Sequence, residues 1–396
     1  MEFKEFQGRS SFSRAEVEAY ARGRLLENSS SRLPKISDFL LLAFHEIESI
    51  SWDEASQTGR IVSVRHNRMD DWFYFCHFLG DPVMPGCWGL DAVWQSLKFF
   101  AAWRGIEGCD KELEFSEVSF LGQIRPYDEK IVYAVDIKSI EQEGSDFLIS
   151  ACASVFLGND LIYSIGSAQI GSAFWEKNDR AVSPLLPQWT GAPLEKRLGY
   201  EEFLSKNILS SAEIIALSQG VLVENPPVEM GLLPSSLMRG FDWVSRPSFD
   251  SFTGAGEVVA VQSNNGLEWF YPMNGGVKPS SLLIDSVWQT LGLFLTWTGG
   301  VGVGRALGAE KVEVFDDVGP QDREIVYDVK IHKLIRPAGT TDVFVKGDAH
   351  IFADGRLVLS CVNVQVGCHA RIRYADYPLK TPMSFGGILK NGEERL

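Results

Sequence analysis

The chain has 396 residues, 45% of them apolar and 22% charged, with a formal net charge of −15. That length predicts two domains with sizeable cores, and the acidic balance argues against nucleic acid, whose phosphates need a basic face. No apolar run reaches the roughly 20 residues that a membrane span requires. The start, MEFKEFQGRSS, lacks the apolar centre of a signal peptide, so a cytoplasmic protein is expected. Its six cysteines form no C-x-x-C pair and no disulfide framework, which suits reduced thiols.

In chain order, a short amphipathic helix is expected at about 14–26 and a strand near 58–65. An aromatic loop follows, Trp72-Phe73-Tyr74 then Cys76-His77-Phe78, turning through Gly80-Asp81-Pro82. Pro85-Gly86 reads as a helix start. Leu90, Val93, Trp94, Leu97, Phe100 and Ala101 recur at helical spacing and spread around the helix, so it is expected to be buried almost all round. Asp91 lies inside that run. A buried acid is costly unless it has a partner or a task. Strand-like alternation occupies 113–121, 129–140, 146–157 and 160–172, with Gly158-Asn159-Asp160 as a hairpin turn. Residues 175–200, holding Pro184, Pro187 and Pro193, read as a linker.

Beyond the linker the chain repeats itself. Ser13-Arg14-Ala15-Glu16 returns 197 residues later as Ser210-Ser211-Ala212-Glu213, and Trp72-Phe73-Tyr74 as Trp269-Phe270-Tyr271. Asp91 and Trp94-Gln95 return 194 residues later as Asp285 and Trp288-Gln289. A second hairpin turn is expected at Asp354-Gly355-Arg356. The division expected is a first unit at 1–174, the linker at 175–200, and a second unit at 201–396. The offset drops between Tyr74 and Val83, where residues 75–82 face the shorter Pro272-Met273-Asn274-Gly275-Gly276. The second copy therefore keeps the acid and has no histidine, and the three-residue loss is expected to have removed it.

The stretch Trp72-Phe73, Cys76-His77-Phe78, Gly80-Asp81-Pro82-Val83-Met84-Pro85-Gly86-Cys87, Gly89-Leu90-Asp91-Ala92 and Trp94-Gln95 closely resembles the β-hydroxydecanoyl-acyl-carrier-protein dehydratase/isomerase family. That resemblance implies an α+β double hot-dog fold, two curved antiparallel sheets each wrapped round a central helix. It also implies an intramolecular pseudo-dimer, monomeric or in a weak higher oligomer. Family members build each site across the dimer interface, which places His77 opposite Asp285 as the catalytic pair and leaves Asp91 in a vestigial site. The chemistry implied is loss of water from a 3-hydroxyacyl thioester on an acyl carrier protein, with isomerisation of the double bond left open. The fusion is similar to dehydratase modules of polyunsaturated fatty-acid synthases and polyketide-like systems.

These residue types suit the reaction. A neutral imidazole removes the α-proton, and a carboxyl kept protonated by burial delivers a proton to the leaving hydroxide. Val83, Gly86, Cys87 and Gln289 are expected against the substrate. Glycine at 86 lets the acyl chain approach, and the N–H groups after it face the thioester oxygen. In the second copy Ser280-Ser281 read there as helix caps. Carrier docking is expected at Lys330, Lys333 and Arg336, the basic counterpart of the acidic run Asp136 to Glu143 in the first copy.

Neither a metal nor a cofactor is expected. Cys76, His77, Asp81 and Cys87 match no common zinc spacing, and the glycine run 300–308 follows a helix, where a nucleotide loop would open one. Two other classes stay open: a hot-dog thioesterase, and a carrier-binding protein without catalysis.

Overall fold

The computed structural model describes residues 1–28, 30–174, 181–186 and 194–370. In the first half, helices α1 (Phe3–Gly8) and α2 (Arg14–Ala21) precede strands β1 (Glu46–Asp53) and β2 (Thr58–His66). The central helix α3 (Gly86–Arg104) is followed by β3 (Lys111–Phe120), β4 (Lys130–Glu143), β5 (Asp146–Leu157) and β6 (Asp160–Gly171). The second half repeats that order. It has α4 (Tyr200–Ser205), β7 (Ile208–Leu209), α5 (Ser211–Ser218), β8 (Trp243–Phe249), β9 (Gly256–Ser263), α6 (Ser280–Trp297), β10 (Val303–Val314), β11 (Glu324–Ile335), β12 (Val343–Ala353) and β13 (Arg356–His369).

All thirteen strands join one antiparallel sheet, in the order β1-β2-β4-β5-β6-β3-β10-β13-β12-β11-β9-β8-β7. The order reads as one half followed by the other half reversed, with β7 as an added edge. The seam is β3 against β10, where Gly308 pairs with Ser119 and Glu313 with Glu114. A Cβ at Gly308 would lie 2.0 Å from the Val118 carbonyl oxygen, so only glycine lets the two sheets close at that point. On the concave side α3 and α6 pack against each other. Trp72 and its counterpart Trp269 meet edge to face at 4.9 Å, which marks the pseudo-two-fold between the halves. This is the double hot-dog fold.

Local chemistry explains the elements. The repeated Ser-x-Ala-Glu motif is a capping box. The Ser13 N–H donates to Glu16 Oε2 at 2.8 Å, and the Ser210 N–H donates to Glu213 Oε2 at 2.8 Å, so each starts a helix at the same point of its half. The first of these helices ends at Ala21, short of the expected 26, because Gly23 turns with φ 64. Helix α3 starts at Gly86 and stops at Gly105, whose φ is 79. Its residues from Cys87 to Leu97 are all buried, as the all-round apolar pattern predicts. Both expected hairpins form, each with a two-residue turn, Leu157 pairing Asp160 and Ala353 pairing Arg356, so Asp160 and Arg356 belong to the strands. Of the expected linker, Pro187 and Pro193 lie outside the described residues, while Ala181 and Leu186 pack on a small apolar cluster that includes Val259 and Phe352. The end of that stretch is built into the second half: Leu198 bridges Val223, and α4 begins at Tyr200.

Candidate active site

The histidine loop is held from three directions. The His77 N–H donates to the Phe73 carbonyl at 2.8 Å, and its own carbonyl accepts from the Val83 N–H at 2.9 Å. Its ring Nδ1 lies 2.9 Å from the Val83 carbonyl oxygen. A carbonyl only accepts, so Nδ1 carries the proton and Nε2 keeps its lone pair. The ring is 8% exposed. Burial lowers its pKa below the ordinary 6.5, against the pull of Asp285 in the other direction.

Asp285 sits in the first turns of α6 and is 4% exposed. Its Oδ2 accepts from Gln289 Nε2 at 2.6 Å. Gln289 is fixed in turn, donating to the Met238 carbonyl at 2.7 Å and accepting the Gly240 N–H at 2.9 Å. Burial raises the Asp285 pKa above 3.8, with His77, Gln289 and Cys87 opposing the rise. His77 and Asp285 come from different halves and line one tunnel with Val83, Gly86, Phe120 and Trp288. Of the acids whose charge acts on His77, Asp285 has the larger effect and Asp81 the smaller.

Most expected contact residues are in that wall. Val83, Gly86 and Gln289 line the tunnel, and a Cβ at Gly86 would meet the Phe120 ring at 2.9 Å. Cys87 differs: it is fully buried beside Asp285, and burial first, then Asp285, pushes its thiol pKa up. It therefore lies behind the acid instead of facing the tunnel. Sequence reasoning missed Arg305, Gln123, Tyr163, Gly292 and Thr296, all of which line the tunnel. Arg305 belongs to the glycine run 300–308, and its Nε donates to Gln123 Oε1 at 2.9 Å across the seam.

The mirror site is built alike up to a point. Asp91 accepts from Gln95 Nε2 at 2.5 Å, and Gln95 donates to the Leu41 carbonyl at 2.8 Å and accepts the Ala43 N–H at 3.2 Å. Burial first, then Glu112, pushes the Asp91 pKa up to about 7. The Ser281 hydroxyl lies on the Asp91 side as Cys87 lies on the Asp285 side. Ser280 and Ser281 are thus the first helical residues after an N-cap at Pro279, and the expectation that they cap the helix does not hold.

The histidine was replaced in the second half, not deleted with the loop. Asn274 Nδ2 donates to the Val277 carbonyl at 3.2 Å, as the His77 ring does to Val83. The preceding residues, Cys76 and Met273, accept matching N–H bonds from Ser235 and Asp38. Asn274 therefore stands in the histidine's place, and the three missing residues come after it, where Gly275-Gly276 replace residues 78–82.

The expected docking residues lie on and just past β11. Lys330 and Lys333 are exposed, with Lys330 flanked by Asp348 and Glu257 on the neighbouring strands. Arg336 is exposed and donates to the Thr298 carbonyl at the end of α6 at 3.0 Å. Among the described residues no three His, Cys, Asp or Glu side chains converge, and Asp81 of the candidate zinc set is committed to guanidinium groups. No described helix is long and apolar enough to cross a membrane.

A FabA-like domain matches residues 33–166 and again 233–361. The chain belongs to the FabA-like domain family. It carries two FabA-like units, and its enzyme class is 3-hydroxyacyl thioester dehydratase. Among solved structures, the dehydratase domain from the CurJ module of Curacin polyketide synthase is similar at 14% identity and TM-score 0.48. That match covers 82% of this chain and 98% of that one. The dehydratase domain of RzxB from Pseudomonas fluorescens is similar at 10% identity and TM-score 0.46, covering 83% and 99%.

Proposed function

We propose that the chain eliminates water from a 3-hydroxyacyl thioester through one active site, with His77 as base and Asp285 as acid. The observation that carries this reading is the shared tunnel of those two residues, each buried and each shifted towards its neutral form. His77 Nε2 takes the α-proton. The C–H electron pair becomes the new double bond as the β-carbon to oxygen bond breaks, and Asp285 hands its proton to the departing oxygen. Charge that gathers on the thioester oxygen faces the N–H groups opening α3 after Gly86. Turnover leaves imidazolium and carboxylate, so one proton must pass back from His77 to Asp285 before the next cycle.

The acyl group is proposed to arrive on an acyl carrier protein or carrier domain in fatty-acid or polyketide-type synthesis, and to dock near Lys333 and Arg336. Lys330 contributes less in this reading, because Asp348 and Glu257 offset its charge. Incubation with a 3-hydroxyacyl carrier thioester tests the whole reading. The expected result is an enoyl thioester; release of free acid would indicate a thioesterase, and no change would indicate a binding protein.

A further inference from the structure

The two halves supply an internal comparison: the cavity of the second half's acid reaches Asp285, whereas its counterpart, lined by Lys98, Glu112, Asn274 and Lys278, does not include Asp91 in its wall. Along α6, Asp285, Trp288, Gln289, Gly292 and Thr296 turn the same face to the tunnel, the spacing of one helical stripe. Gly292 lies seven residues past the acid, about 10 Å along the axis at 1.5 Å per residue. A Cβ added there would meet only Val366 Cγ1, at 4.0 Å, and Val366 is paired with Ala306, also in the wall. Leu232, Leu233 and Pro234 complete an apolar lining. A Cβ on Gly231 would lie 2.9 Å from Thr296 Oγ1 and 3.3 Å from the Gly302 carbonyl, so the wall is tightly packed there.

In the first half the same positions are charged. Lys98 stands on α3 where Gly292 stands on α6, since the Asp-Gln pairs four residues apart make the same bonds in both helices. Glu112 pairs with Ile170 as Ala306 pairs with Val366. Lys98 Nζ donates to Glu112 Oε1 at 2.7 Å, with side chains 12% and 10% exposed. A paired ammonium and carboxylate thus stand in the wall of that cavity, on the side towards Asp91, and an aliphatic chain cannot repay separating them.

We propose that Gly292, with Ala306 opposite, sets how deeply an acyl chain enters past the catalytic pair, and that Lys98–Glu112 is the closed form of that gate. The inference rests on the dehydratase reading of the His77–Asp285 site. Its test is Gly292→Leu with N-acetylcysteamine thioesters of 3-hydroxybutyrate and 3-hydroxyoctanoate, following the enoyl product by ultraviolet absorbance. Helices favour leucine over glycine, so the unfolding temperature should hold or rise. The kcat/KM for the octanoyl substrate should fall about 30-fold or more, while that for the butyryl substrate stays within about threefold. Gly292→Ala, which adds a single methyl, should show a smaller loss of the same selectivity. Equal losses on both substrates, or none on either, would overturn the assignment. A wild-type protein inactive on both would remove the dehydratase reading itself, which is a different result from an active wild type whose variant fails to discriminate.

Discussion

Asp81, on the histidine loop, is held by Arg305 from the opposite half: its Oδ2 lies 2.6 Å from Arg305 Nη2, while its Oδ1 lies 2.8 Å from Arg125 Nη1 of its own half. Burial alone would raise the Asp81 pKa, but the two guanidinium groups overcome it and hold the carboxyl below the ordinary 3.8. The loop that carries His77 is thereby tied to the half that carries Asp285. Asp81→Ala removes the carboxylate that two largely buried arginines share and should cost about 3 kcal/mol of stability. It should also lower kcat about tenfold by loosening His77. Arg305→Met should cost less, because Asp81 keeps Arg125. Chemical denaturation of both variants checks the order, and a larger loss for Arg305→Met would contradict it. Since the folded-state pKa of Asp81 is depressed, its contribution is present above the unfolded value and is lost as pH falls below 3.8.

Catalysis should be asymmetric between the halves. His77→Ala and Asp285→Asn should each lower kcat by about 10² to 10⁴, whereas Asp91→Asn should change it by less than about threefold. Asn274→His, placed in the His77→Ala background, should restore nothing, because the ion pair Lys98–Glu112 lines the cavity that Asn274 faces and Asp91 is not in its wall. Recovery of activity in that double variant would mean the mirror site takes substrate.

Asp91 should make stability depend on pH. Its folded-state pKa of about 7 lies above the ordinary 3.8, so folding favours the protonated acid. The favourable contribution is complete below 3.8 and fades as pH rises through 7. The total across that window is of order ~4 kcal/mol. In Asp91→Asn this slope should vanish, and the variant's stability relative to wild type should improve from pH 4 to pH 8. Parallel curves for the two proteins over that range would mean that Asp91 stays ionised.

Lys333→Glu with Arg336→Glu should raise KM for a carrier-bound substrate about tenfold or more, with little change for an N-acetylcysteamine surrogate that never reaches β11. Raised salt should weaken the wild type's carrier KM in the same direction. Loss with both substrates points to a disturbed fold, and loss with neither puts the carrier elsewhere.

The central helix, the four strands after it and the repeat were legible because each has a strong local period or a rare run of residues. β1 and β8 were not. In β1 the register shifts between Ile47 and Ser49, which breaks the alternation that marks a strand. In β8 a similar shift spans Ser245 to Ser248, around Pro247. The pairing of His77 with Asp285 in one cavity was legible from the motif and the offset of its two copies. The place of the gap was not, since any alignment between Tyr74 and Val83 satisfies the residue count, and it takes the bonds made by Met273 and Asn274 to fix it. Lys98 and Glu112 carry no motif. Their meaning emerges once Gly292 and Ala306 are known to face a tunnel.

The seam between β3 and β10 changes what a single substitution can do. In a symmetric pair of identical subunits every change appears twice, once at each site, so a residue that closes one tunnel closes both. Here the two faces are encoded separately, and one could acquire a lysine and a glutamate while the other kept a glycine and an alanine. Because both halves belong to one chain, assembly of the site is a first-order event. Its stability should therefore not vary with dilution, where a two-chain dehydratase would dissociate and lose its pairing of base and acid.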